Sequence, residues 1–170
     1  KRFSFIQSGA GDQFCITMQC GVQDEAKKLG PQVTTQGPEK FDPTLQKPIV
    51  DSVVASKPDA ILVAPPDVSA MEAPLKAAAK AGIKVVLVDT TVDDPSFAVS
   101  QIPPDNEGGG KAALDALKKP SPSGRHALAV SLDLGISTTA LRFFRLTMAP
   151  EAVPCFHPTG LQRRHTTQAT

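Results

Sequence analysis

Two stretches, AILVAPPD (residues 60–67) and KVVLVDTT (84–91), constrain the fold of this chain more than any other feature. Each is an unbroken apolar run of strand length that stops at a polar tip. A strand with one face in water alternates apolar and polar residues, so an unbroken run means that both faces are covered. This is the mark of a parallel sheet layered with helices. FSFIQ (3–7), QVTTQ (32–36) and SFAVSQI (96–102) complete a set of five strands.

The intervening segments are helical in period. In DQFCITMQCGVQDEAKKLG the residues Phe14, Met18, Val22 and Ala26 recur every fourth position, and Gly30-Pro31 supplies the C-cap and stop. FDPTLQKPIVDSVVASKP opens with Asp42 as N-cap and Pro43 at the first helical position, with Leu45, Ile49 and Val53 as the expected inner face and Val50 and Val54 beside it. AMEAPLKAAAKAG gives a third helix, in which Pro74 kinks the axis or ends the first turn. The fold class expected is α/β, an open parallel sheet with helices on both faces.

After Ile102 the pattern changes. Pro103-Pro104 reads as a connector, PPDNEGGGKAALDALKK leads into a helix, RHALAVSL (125–132) is a strand, and GISTTALRFFRLTMA is helical. All twelve lysines lie at or before Lys119, whereas five of six arginines and all three histidines lie at or after Arg125. The organisation expected is one lobe over residues 1–102, the start of a second over 103–149, and an irregular or disordered tail over 150–170. The tail has the composition of a shifted reading frame or a fused fragment.

Several function classes are excluded or disfavoured. A net charge of +1 gives no electrostatic footprint for nucleic acid or an acidic membrane. No run approaches the roughly 18 apolar residues of a membrane helix. No secretory leader precedes the first strand, so an exported protein would have lost it already. Cys15, Cys20 and Cys155 lack metal spacing and are expected as buried free thiols; Cys15 and Cys20 point apart on their helix. No histidine precedes His126, which leaves the well-patterned part without a Ser-His-Asp or Cys-His arrangement. Gly9 and Gly11 match the first two positions of a dinucleotide loop, but Phe14 occupies the third, where helix and strand must approach closely. We therefore expect no cofactor, no metal and no enzymatic activity.

Ligands of open parallel sheets bind at the carboxyl ends of the strands, which here read QSGAGDQF, PPD and DTT. Asp89 is either a turn former or a ligand carboxylate able to accept from two adjacent hydroxyls, with Thr90 and Thr91 as further hydroxyl partners. Asp12 is either an N-cap or a second acceptor. Phe14 is either the first core residue of its stripe or an exposed ring for the apolar face of a ligand. NEGGG reads as a helix start that permits close backbone approach, capped by Asp105 or Asn106.

These strand tips, in this order, resemble the type I periplasmic sugar-binding proteins, the ribose-like substrate-binding components of ABC transporters. GDQFCITMQCGVQDEAKKLG, FDPTLQKPIVDSVVASKPDAILVAPPD, AAAKAGIKVVLVDTT and DNEGGGKAALDALKK carry the resemblance, which runs from Lys1 to about Thr139. The family clasps a sugar between two α/β lobes. The resemblance implies that Asp89 grips sugar hydroxyls, with Thr90 in a neighbouring position that is often Arg. It places Phe14 as the stacking ring, Asp12 as a polar residue just ahead of it, and Arg142 near the second lobe's sugar-binding arginine. Cys15 stands where many members carry a second aromatic residue. The implied role is extracytoplasmic sugar binding for uptake through an ABC permease, in a truncated form with weakened binding. The alternatives are the effector-binding domain of a LacI-type regulator, which needs a preceding DNA-binding segment for which Lys1 leaves no room, and a fragment without activity.

Overall fold

The computed structural model describes residues 1–118, 129–130, 136–138 and 155–156. The chain divides into two compact units, Lys1–Pro103 and Pro104–Thr170.

The first unit is built on five parallel strands: β1 (Arg2–Ile6), β2 (Gln32–Gln36), β3 (Ala60–Val63), β4 (Lys84–Val88) and β5 (Ser100–Ile102). Their order in the sheet is β2-β1-β3-β4-β5. The chain therefore steps one way from β1 to β2, then crosses back over β1 and continues the other way. Right-handed crossovers in opposite directions put their helices on opposite faces. This places α1 (Gln13–Leu29) on one face and α2 (Pro43–Ala55) and α3 (Glu72–Lys80) on the other. The second face holds the main core, in which Ile6, Ile61, Val63, Val85 and Leu87 of the sheet meet Val50 and Val53 of α2 and Leu75 and Ala78 of α3. The open α/β sheet expected from the apolar runs is what forms.

Local details follow from residue chemistry. Gly30 ends α1 at φ 85°, a left-handed conformation that glycine adopts without strain, and donates its N–H to Ala26 O at 2.8 Å. Asp42 caps α2 by accepting from Thr44 N at 2.8 Å and Thr44 Oγ1 at 2.7 Å, and these bonds hold its carboxyl below the usual range. Pro74 sits in the first turn of α3, where a missing N–H leaves no helical bond unmade.

Four expectations are corrected. The stripe of α1 keeps Met18, Val22 and Ala26 as partly buried residues, but at its start Cys15 is buried while Phe14 is 52 % exposed. The face of α2 keeps Val50 and Val53 in the core with Ile49 and Val54 against it, but at its start Gln46 is buried and Leu45 is at the surface. The fifth strand starts at Ser100, since residues 96–99 are held in turns by Asp94 Oδ1 accepting from Ser96 N and Pro95 O accepting from Ala98 N. Finally, Cys15 and Cys20 are both free thiols, but Cys20 is exposed.

In the second unit, α4 (Asn106–Lys118) is capped by Asp105, whose Oδ1 accepts from Gly108 N at 2.8 Å. A Cβ at Gly108 would collide with that carboxylate, which explains one glycine of the triplet. Strand β6 (Ala129–Val130) pairs in parallel with β7 (Cys155–Phe156). The latter is the described part of the segment expected to be irregular; the rest of 150–170 lies outside the described residues. No helix among the described residues is long and apolar enough to cross a membrane.

Candidate functional site

A parallel sheet of order 2-1-3-4-5 reverses direction between β1 and β3, and at such a reversal the outgoing chains part to leave a crevice beyond the carboxyl ends. The rim of this crevice is made by the segments following β1, β2, β3 and β4. All the described candidate residues lie on it.

Beyond β1 the chain runs through Gly9 and Gly11 to Asp12, the N-cap of α1. Its Oδ2 accepts from Phe14 N at 3.0 Å and from Cys15 N at 3.1 Å, so the capping role is real. Both bonds fall on one oxygen, and Oδ1 carries neither. The cap and the acceptor readings of Asp12 are therefore compatible. Capping fixes the first turn of α1 with Phe14 facing solvent and Cys15 facing inward, its Sγ 3.5 Å from Ser8 Oγ. The thiol at position 15 is part of the wall under the rim, 1 % exposed.

Beyond β4 the backbone makes a tight reversal. Thr90 N donates to Val88 O at 2.7 Å, closing a three-residue turn with Asp89 at its centre and φ of 63°. A positive φ at a non-glycine centre of such a turn is rare and costs about 1–3 kcal/mol, which the surroundings must supply. Asp89 N donates to Ile102 O at 3.0 Å, extending the β4–β5 ladder by one bond and pinning the turn. Asp89 itself is half-buried. Thr90 is buried at 5 % exposure and its Oγ1 has no hydrogen-bond partner, a state that costs about 1–3 kcal/mol when nothing fills it. Thr35 Oγ1, inside β2, shares that state; Thr90 differs in lying just beyond a strand's carboxyl end. Thr91 Oγ1 donates to Gln101 Oε1 at 3.0 Å.

Between these two tips stands β3, so the ends of β1 and β4 are about 10 Å apart, two strand spacings. In the segment after β3, Asp67 Oδ1 accepts from Ser69 N at 3.0 Å and from Ala70 N at 2.7 Å, and the segment is tied to the one after β4 by Ser69 Oγ donating to Asp93 Oδ2 at 2.8 Å and Asp93 N donating to Val68 O at 3.1 Å. Arg142 lies outside the described residues.

Two rim residues carry no obvious sequence signal. Phe41, just before the cap of α2, is 52 % exposed, and its ring lies against Gly9 so closely that a Cβ there would come within 2.8 Å. Gln46 is fully buried under the crevice. A shallow hollow of about 400 Å³ lined by Gln23, Ala26, Lys27, Gly30, Pro31 and Val33 lies at the opposite end of the strands. It draws on one helix end and one strand start, whereas the rim gathers an acid, a ring and a buried hydroxyl from different elements. Among the described residues no group of three or more His, Cys, Asp or Glu side chains could hold a metal ion.

Comparison with known proteins agrees with this architecture. The periplasmic binding protein domain matches residues 3–145. The D-ribose/D-allose-binding protein of Pseudomonas aeruginosa is 27 % identical over 146 residues, covering 81 % of this chain and 45 % of that protein. An ABC transporter solute-binding protein from Agrobacterium vitis, solved with α-D-tagatopyranose, superposes with a TM-score of 0.81 at 34 % identity, over 92 % of this chain and 56 % of its own. A carbohydrate transporter solute-binding protein from Agrobacterium radiobacter, at 22 % identity and TM-score 0.83, shares the fold over 92 % of this chain and 56 % of its own. This chain thus spans about half the length of these relatives.

Proposed function

Because the chain belongs to the periplasmic binding protein domain family, we propose that it binds a sugar outside the cytoplasm, as the solute-binding component of an ABC-type uptake system, and catalyses no reaction. The observation that carries this reading is the rim itself: a carboxylate at the centre of a tight turn after β4, and an exposed ring in the first turn of α1 after β1, with β3 between the two strands. Asp89 accepts two neighbouring sugar hydroxyls, the buried hydroxyl of Thr90 completes its hydrogen bonding on the ligand, Phe14 lies under the apolar face of the ring, and Asp12 Oδ1 takes a further hydroxyl. Arg142, outside the described residues, is included by family resemblance.

Magnitudes set the expected strength. A clasped sugar at micromolar affinity has about 8 kcal/mol of binding free energy. A site that draws mainly on one lobe gives up three or four hydrogen bonds and the exclusion of water, several kcal/mol, and binds in the millimolar range. The test is titration calorimetry with D-ribose, D-allose and D-tagatose, since a chain without Trp or Tyr offers no convenient fluorescence signal. Saturable heat with at least one of them is expected, and its absence for all three at about 10 mM overturns the proposal.

A further inference from the structure

We infer that Gln46 and Gln7 form a two-glutamine brace that sets the position of the Phe14 ring, which makes Gln46 a positioning residue of the proposed sugar site although it is fully buried. The inference rests on that functional reading for its binding consequence and on geometry alone for the brace.

Where β1 and β3 part, the last ladder bond between them is Ala64 N donating to Ile6 O at 3.0 Å. Beyond it, the carbonyls of Gln7 and Ala64 face the interior with no strand to pair with. Gln46, on α2, places its side-chain amide between them: Nε2 donates to Gln7 O at 2.9 Å and to Ala64 O at 2.8 Å. Both partners are carbonyls, which only accept, so the group facing them is the NH2. The other end of the amide, Oε1, has no partner. What this position uses is therefore a double donor, which an ionised Glu or a Met of similar length does not supply.

Gln7 carries the connection onward. It is 2 % exposed, and its Nε2 donates to Cys15 O at 2.8 Å and to Gln19 Oε1 at 3.3 Å. Gly37 leaves room for it, since a Cβ at position 37 would come within 2.8 Å of Gln7 Cβ. The result is a buried polar line from α2 through the β1 tip to the first turn of α1, ending on the residue next to Phe14. A helix start carrying an exposed ring at a ligand rim is thereby tied to both strands that define the crevice. Buried hydrogen bonds of this kind, with every side-chain amide donor of Gln46 and Gln7 engaged, fix one arrangement where apolar packing alone tolerates several.

The test uses the full chain labelled with 4-fluorophenylalanine, with the Phe14 resonance assigned by its loss in Phe14→Leu. Gln46→Met and Gln46→Glu are compared with Val50→Ala, a core truncation on the same helix. All three lower the melting temperature, but only the two Gln46 variants are expected to shift or broaden the Phe14 resonance and to speed amide exchange at Phe14 and Cys15 at least tenfold. An unchanged resonance in the Gln46 variants, or the same change in Val50→Ala, overturns the brace. Should neither Gln46 variant fold, Gln7→Met, which cuts the link to α1 alone, carries the same prediction and the same refutation. With D-ribose as the probe, the Gln46 variants are expected to weaken binding at least tenfold more than Val50→Ala. If wild type binds no D-ribose, the sugar reading fails for that probe while the fluorine and exchange results still decide the brace.

Discussion

Asp12 and Asp89 are both carboxylates one short step past a strand of the same sheet, yet the chain uses them differently. Asp12 has ordinary extended geometry and gives one oxygen to the first turn of α1. Asp89 sits at the centre of a strained turn, with its backbone N–H bonded to Ile102 O. A cap stabilises the element that follows it. A residue at positive φ in a turn gains no stability from that conformation, and Lys57 shares it after α2, so the conformation alone assigns Asp89 no role. In the proposed site the first acid builds the helix start and the second is the ligand carboxylate.

The largest expected effect that can break this contrast is on binding. Asp89→Ala is expected to weaken sugar affinity by roughly 10–150-fold for each charge-assisted bond lost, about 1.5–3 kcal/mol, with melting temperature little changed. Calorimetry showing equal affinity would put Asp89 among the turn formers. For Asp12→Ala the balance reverses: urea denaturation is expected to show a loss of about 1 kcal/mol, and Asp12→Asn, a competent cap, only a few tenths. A smaller effect isolates the strained turn. Asp89→Gly is expected to be more stable than Asp89→Ala by up to about 1 kcal/mol, since only glycine adopts this φ freely. If alanine proves as stable, the turn relaxes and stores no strain.

The smallest effect concerns a third carboxylate. Asp94 accepts from Lys76 Nζ at 2.9 Å, and this bond, with those from Ser96, lowers its pKa to about 2. A folded value below the unfolded 3.8 means stability that is present above about pH 3.8 and lost as pH falls through about 2. The melting-temperature gap between wild type and Lys76→Met is expected to be small at pH 5, since the pair is exposed, and to close by pH 2. A gap that persists at pH 2 assigns the effect to packing of the Lys76 stem instead.

Much of this was legible in the residues. β4 forms over the residues that its apolar run marks, because a buried strand leaves little choice of ends, and β2, an edge strand, forms over its β-branched core Val33-Thr34-Thr35. The rim was legible for the same reason: where an apolar run stops, the crevice begins. Helix faces were less so. Phe14 and Leu45 look like core residues by spacing, yet in the first turn of each helix it is the next residue, Cys15 or Gln46, that is buried, while the rest of each stripe faces inward as expected. A glutamine in an apolar stripe reads as a solvent residue, and only the two orphaned carbonyls beneath the crevice reveal why it is buried. Strand order and the backbone turn at Asp89 are set by long-range pairing, which residue patterns do not encode locally.

The placement of β1 between β2 and β3 has a kinetic side. At roughly 5–20 residues per second of synthesis, β3 is made several seconds after β1. During that interval the segment Phe3-Ser4-Phe5-Ile6 has at most one neighbour and an open flank. No hairpin is available to shelter it, because parallel partners arrive only after whole helices. Strand β1, whose Phe5 and Ile6 end up fully buried, is thus the one that waits longest for its second neighbour, which marks it as a segment a holding chaperone would bind.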